Sequence, residues 1–385
     1  MTLTLVFWLA VAWIVYVHVG YPLILALLGL VRRIRPVIGE DALPTVSVLL
    51  AARNEERDIG WKLAQTLDWD YPRDRLEVLV ASDASTDRTD EIIRGVTDPR
   101  LTFVRLEQRS GKNVALNELA RRARGELLFF TDANSGLDRA SLRHMARHFC
   151  DPRVGCVTGE MDEGLGSAIA TGAQAYWSYE SLLKRLESAI GSVLVCVGSV
   201  FCIRRSLYSP LDPDVANDLE LPLRIGALGH WLLYEPAARS MERAAGSPRE
   251  EFARRRRICA QGLLGMWRLR HTLRGLRGWQ FLSRKPLRWL LLIPMAALLV
   301  ASAGLVSSAF FAAVLALQAL FYLLALIGWV LSRHGRGPGR LVSVPFYIVL
   351  VALAGFVGAL DACLGRRFHV WEAATLSRGR SVGRA

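Results

Sequence analysis

Asp132 and Asn134 stand two residues apart in the segment Thr131, Asp132, Ala133, Asn134, Ser135, directly behind the apolar run 127–130. The run has no helical spacing and suits a strand buried on both faces. A carboxylate and a carboxamide at the C-terminal end of such a strand put two hard oxygen ligands on one side of the chain, where open α/β sheets bind ligands. The expected chemistry is a metal and nucleotide-sugar site, with Asp132 and Asn134 holding Mg2+ or Mn2+. Asn134 supplies an oxygen without charge, which lowers the expected metal affinity. A turn-capping role would account for Asn134 by itself.

The elements that would position this pair are legible upstream. A buried strand over 45–52 ends in Arg53, Asn54, Glu55 and Glu56, and a helical pattern follows over 59–67. A second strand, 76–81, ends in Ser82, Asp83, Ala84, Ser85, Thr86, Asp87, Arg88 and Thr89 before a helix over 90–96. A third strand covers 101–106; Gly111, Lys112 and Asn113 then open a helix over 114–123. Strand and helix alternate, and polar residues collect at the strand ends. That pattern predicts a doubly wound α/β domain with a functional edge along the strand C-termini.

Four segments taken together carry a resemblance: Val46 through Glu56, Ser82 through Thr89, Gly111 through Asn117, and Thr131 through Asn134. In this order and spacing they resemble the family-two glycosyltransferases of GT-A fold, in the cellulose-synthase-like branch. The likeness runs from about residue 45 to 267. It implies a nucleotide-sugar site built from Arg53, Glu55, Asp83, Lys112 and Asp132. Asp83 would accept from the ring N–H of uracil, unless its loop only caps the next helix, a role that suits Asp87 better. Lys112 would approach the nucleotide, with Gly111 allowing close backbone approach. Lysine is rare in this arginine-rich chain, which gives the position added weight.

Further along, Asn217, Asp218, Leu219 and Glu220 resemble the segment that carries the catalytic base. An inverting transfer needs one carboxylate to take the proton of the attacking hydroxyl. Asp218 is the expected base. Glu220 is the second candidate, although on a helix it points elsewhere and a solvated face suits it better. The stretch 195–205 resembles an acceptor-side strand, with Gly198 leaving room for sugar. Arg254 to Ile258 lies where processive synthases carry Q-x-x-R-W. Arg257 matches the arginine and Arg254 replaces the glutamine, so both are expected at the donor diphosphate. Ile258 replaces the tryptophan, which argues against long-chain synthesis. For Arg255 and Arg256 a polybasic stripe on lipid headgroups is a serious rival.

Composition bounds the class. Apolar residues make up 52% of the 385-residue chain, concentrated in runs at 3–31, 287–331 and 341–360. The first is expected to be an uncleaved membrane anchor, and the later runs about three further spans. The formal net charge of +13 could mean nucleic acid. It has a simpler source in Arg32, Arg33 and Arg35 behind the anchor and in the arginines of 254–277, so no nucleic-acid partner is expected. The six cysteines form no C-x-x-C pair and read as reduced thiols. The expected organisation is an anchor (1–31), a linker (32–43), the GT-A domain (44–270), an interfacial amphipathic segment (271–286), transmembrane helices (287–364) and a basic tail (365–385). An inner-membrane protein with a cytoplasmic catalytic domain follows, with a UDP-linked donor, a saccharide or lipid-linked acceptor and membrane lipids as partners. The basic tail conflicts with an outward C-terminus unless one segment is re-entrant. A catalytically weak scaffold of a polysaccharide export complex is the rival from another class, since Asn134 and Ile258 both depart from the family pattern.

Overall fold

All seven residues of the first strand, β1 (Val46–Ala52), are buried. In a strand, alternate side chains point to opposite faces, so both faces must be covered. Val46, Val48 and Leu50 pack with Ile59, Leu63 and Phe129 on one side. Leu49 and Ala51 pack with Leu116, Leu119 and Phe130 on the other. Each buried Val or Leu contributes roughly 1.5–3 kcal/mol relative to exposure. The continuous apolar run is thus the signature of a central strand. The computed structural model describes residues 2–39, 43–163, 170–242, 247–334 and 339–366.

The remaining strands are β2 (Leu76–Asp83), β3 (Leu101–Leu106), β4 (Leu127–Asp132), β5 (Gly136–Leu137), β6 (Val154–Glu163), β7 (Phe201–Arg204) and β8 (Trp231–Glu242). They form one sheet in the order β3-β2-β1-β4-β7-β6-β8-β5. The first four are mutually parallel. β7 then runs antiparallel to both β4 and β6. The sheet is therefore mixed, and only its first half has the doubly wound layout expected from the alternation. Within the stretch 195–205, strand structure is confined to the four residues of β7.

The helices are α1 (Thr2–Val15), α2 (Tyr21–Arg32), α3 (Ile59–Leu67), α4 (Thr89–Arg94), α5 (Lys112–Arg122), α6 (Ser141–Ala146), α7 (Ala170–Ala189), α8 (Asn217–Ala227), α9 (Pro248–Arg268), α10 (Gly275–Arg284), α11 (Pro286–Trp289), α12 (Leu292–Gly304), α13 (Ala309–Arg333) and α14 (Arg340–Cys363). Thr2–Arg32, α13 and α14 are long and apolar enough to cross a membrane. At 13 residues α12 is about 20 Å long, short of a hydrocarbon core of about 30 Å. It joins Gly275–Trp289 across a 59° bend, as a broken span or a re-entrant loop. The three C-terminal spans expected from the sequence are thus two long helices and one bent pair.

A buried ionic network fastens the sheet domain to these helices. Tyr21 of α2 donates to Glu187 of α7 (2.8 Å), which also binds Arg284 of α10. Arg284 continues to Glu180 (2.8 Å), and Glu180 to Arg288 of α11 (2.5 Å). α14 lies along α9: Tyr347 donates to Glu251 (2.6 Å), and Asp361, near the far end of α14, pairs with Arg256.

Candidate active site

β4 is registered so that Asp132 faces Ala51 at the end of β1, which brings its carboxylate to the C-terminal rim of the sheet. Lys112, the first residue of α5, forms an ion pair with it. Behind Asp132 lies a group that the sequence reading missed. Lys62 is fully buried and donates to Thr131 Oγ1 (2.8 Å) and the Ser135 carbonyl (2.8 Å), clamping both sides of the turn that carries Asp132. Two signals were available. Lys62 interrupts the apolar stripe Ile59, Leu63 of α3, and the chain has only four lysines, Lys62, Lys112, Lys184 and Lys285. Three of these line the cavity described below, and the fourth braces its rim.

Burial lowers the Lys62 ammonium to about 7, against the opposing attraction of Asp132 and Glu242. The folded value lies below the ordinary 10.5, so between pH 7 and 10 the unfolded chain holds more protons and stability rises with pH. The slope approaches about 1.4 kcal/mol per pH unit. Melting temperatures of the wild type should climb over that range, and Lys62→Met should remove this contribution. Parallel curves for the two proteins would contradict the assignment.

Asp83 is fully buried, and its two oxygens accept from the amides of Ser110 (2.6 Å) and Gly111 (3.0 Å). Through these bonds Asp83 shapes the loop that delivers Lys112. Gly111 has φ of +93° with no atom near its missing Cβ, so backbone conformation rather than crowding requires glycine. Asp87 caps as expected, accepting from Thr89 N (3.0 Å) and Oγ1 (2.6 Å). The turn after β1 is tied to the same loop, since Asn54 Oδ1 accepts from Thr86 N (2.9 Å) and Glu55 N donates to Thr89 Oγ1 (2.7 Å). Arg53 Nη1 is buried without a hydrogen-bond partner among the described residues. A buried guanidinium donor left open in this way suits an anionic or carbonyl-bearing ligand.

Asp218 lies in the first turn of α8 and faces Gly198, where an added Cβ would come 3.4 Å from Oδ2. Burial pushes the Asp218 carboxyl up from the ordinary carboxylate range; Lys112 and Lys285 oppose the rise and Asp132 adds to it. A raised carboxylate suits a general base. Glu220 is not on a solvated face. It is fully buried, accepts from Asp212 N (3.0 Å) and pairs with Arg224, so it holds the loop before α8.

On α9 the arginines divide by role. Arg254 and Arg257 line the cavity, with Glu242 4.0 Å and Glu251 3.9 Å from Arg254. Neither Arg255 nor Arg256 lies on a lipid-facing stripe. Arg255 is buried between Glu251 (2.6 Å) and the ring of Tyr176 (4.1 Å), and Arg256 pairs with Asp361. The aromatic side chain missing at Ile258 has a substitute in space. Trp289 seats over Gly262, one turn further along α9, where an added Cβ would come 2.2 Å from the indole.

Asp132, Lys112, Asp218, Arg254 and Arg257 share one cavity of about 540 Å³. Arg53, Glu55, Asp83 and Asn134 lie outside its lining. Asn134 is exposed at the turn after β4. Among the described residues no group of three or more His, Cys, Asp and Glu side chains is placed to hold an ion. Of the pair, Asp132 lines the cavity and Asn134 does not, so an ion held there would meet Asp132 first. Restoring the charge with Asn134→Asp should lower the Mn2+ concentration giving half-maximal nucleotide release by roughly tenfold. An unchanged titration would remove Asn134 from the metal site.

A mixed sheet whose parallel rim ends in Lys112, Asp132 and a facing base candidate defines a GT-A-type nucleotide-binding domain. Residues 47–211 match the family model Glycosyl transferase family 2. It is 32% identical over 188 residues to the beta-monoglucosyldiacylglycerol synthase of Synechocystis, covering 46% of this chain and 38% of that protein. It is 28% identical over 212 residues to the poly-beta-1,6-N-acetyl-D-glucosamine synthase of Staphylococcus aureus, covering 53% and 51%. The chain thus spans about half or less of the length of these curated relatives. The mannosyltransferase PcManGT from Pyrobaculum calidifontis, solved with GDP-Man and Mn2+, has the same fold: TM-score 0.69, 23% identity, 91% of this chain and 99% of that one.

Proposed function

We propose that the protein is a membrane-embedded inverting glycosyltransferase that moves one sugar from a nucleoside-diphosphate donor, UDP-linked in the first instance, to a lipid-linked acceptor. One observation carries this reading. The cavity that holds Asp132, Asp218 and Arg257 continues between apolar helices, where Trp289, Leu291, Ile348 and Val351 line it. A polar end suits a nucleotide and an apolar end suits hydrocarbon. The glycolipid synthase among the relatives agrees with this reading. The volume of about 540 Å³ and Ile258 both favour a short product over a polymer in transit.

In the mechanism, the acceptor oxygen forms a bond to the anomeric carbon as the bond to the diphosphate oxygen breaks on the opposite face. Asp218 takes the hydroxyl proton. Lys112, Arg254 and Arg257 surround the leaving diphosphate with positive charge already in place. A divalent cation beside Asp132 and Asn134 would neutralise more of that charge.

In this reading the catalytic domain is cytoplasmic, which Arg32, Arg33 and Arg35 behind the first helix support. Asp361 pairs with Arg256 of α9 and with Arg366, which supports a C-terminal end of α14 on the catalytic-domain side. The tail beyond residue 366 lies outside the described residues. The deciding experiment is a screen of UDP- and GDP-sugars for Mn2+-dependent nucleotide release by the full chain in detergent, with and without lipid acceptors. Release that no lipid acceptor stimulates would reject the acceptor class. Absence of nucleotide-sugar binding would favour the scaffold reading.

A further inference from the structure

Most cations of the cavity are answered by carboxylates. Lys112 pairs with Asp132, Arg255 with Glu251, and Lys184 lies 3.5 Å from Glu160. Arg284 and Arg288 are bound to Glu180 and Glu187. Lys285 differs. It lines the cavity at the junction of α10 and α11, yet among the described residues its ammonium has no hydrogen bond or ion pair. It lies close enough to Asp218 to act on that carboxylate from the α10–α11 side, while Lys112 acts from the sheet side. Glu180 and Asp218 act on Lys285 only at a distance, so this part of the cavity carries an ammonium with no direct carboxylate partner among the described residues. An ammonium withdrawn from water without a partner is costly, and such groups at a membrane mark ligand sites. In a chain where arginine outnumbers lysine this heavily, it is also one of only four lysines.

We propose that Lys285 is an anion site for the acceptor, and that the acceptor is a lipid carrying a phosphate or diphosphate next to its attacking hydroxyl. This rests on the lipid-acceptor reading above. The donor diphosphate is assigned to Lys112, Arg254 and Arg257, which line the same cavity. The acceptor headgroup, entering from the apolar end, meets Lys285 before its hydroxyl reaches Asp218. The ammonium pairs with the phosphate and fixes the depth at which the lipid stops. Two sources share this chemistry: a polyprenyl diphosphate bearing a sugar, and a glycerophospholipid.

The test uses the full chain in mixed micelles with three acceptors: a polyprenyl-diphosphate-linked monosaccharide, phosphatidylglycerol, and uncharged diacylglycerol. Wild-type enzyme should favour one of the two phosphate-bearing lipids, and which one identifies the source. Lys285→Ala should raise the KM for that lipid roughly ten- to hundredfold. The KM for diacylglycerol and the affinity for the free nucleotide should stay within about twofold, and Lys285→Arg should recover most of the loss. Preference for diacylglycerol, or an equal KM rise for charged and uncharged acceptors, would overturn the proposal. So would weakened nucleotide binding in a folded Lys285→Ala protein, which would assign the lysine to the donor. If Lys285→Ala does not fold, the wild-type preference and the behaviour of Lys285→Arg decide. A wild type that binds no nucleotide sugar would refute the transferase reading instead.

Discussion

Asp218→Asn should lower sugar transfer by about a thousandfold while nucleotide affinity stays within about twofold. The substitution keeps the size and shape of the side chain at the start of α8 and removes only the ability to accept a proton. Asp218 lines the cavity close to Gly198, and the amide of the same shape keeps its packing contacts. The same residue sets a pH signature. Burial raises its carboxyl, so the acid limb of the kcat/KM profile should fall above the ordinary carboxylate value of about 4. Isothermal titration with nucleotide and a radiolabelled transfer assay separate the two effects. Full transfer activity in a folded Asp218→Asn enzyme would move the base elsewhere.

Asp132→Ala should act on binding as well as on turnover. Asp132 holds Lys112 at the rim, and removing it leaves an ammonium without its partner. Lys62, which clamps the turn through Thr131 and Ser135, would keep the backbone in place. A hundredfold loss of nucleotide-sugar affinity, about 2.7 kcal/mol, is expected together with loss of any Mn2+ response. The contrast with Asp218→Asn is the useful result: one variant should bind without transferring, and the other should hardly bind. Equal nucleotide affinity in both would dissolve the division of labour between the two carboxylates.

The parts of the site legible in the sequence are those where local pattern and position coincide. β1 is apolar apart from Ser47 and β4 is apolar up to Phe130, so their ends, and with them Asp132, could be placed within a residue or two. Ile59–Leu67 and Leu101–Leu106 fall where periodicity puts them. What local pattern could not show are the partners that distant segments contribute. Asp83 meets Ser110 and Gly111 from the next strand-helix unit. Arg256 meets Asp361, 105 residues away, and Arg255 meets Tyr347, 92 residues away. Nothing local distinguishes such an arginine from one that lies on headgroups. Glu220 read as solvated because a helix of 11 residues with charges at several positions has no obvious buried face until the Asp212 loop folds over it.

By itself, the chain's order of residues determined the alternating strand-helix half of the sheet, the membrane-length apolar helices and the identity of the polar groups at the strand ends. Those follow from periodicity and hydrophobicity, which act over a few residues. The tertiary structure alone decided which of these groups face a common space. It placed Asp83 inside a loop and Asp218 in the cavity. It set Trp289 over Gly262 in place of an aromatic residue at 258, and left Lys285 without a partner among the described residues. The physical reason is that burial and charge compensation are properties of neighbours in space, and here those neighbours come from helices and strands far apart in the chain.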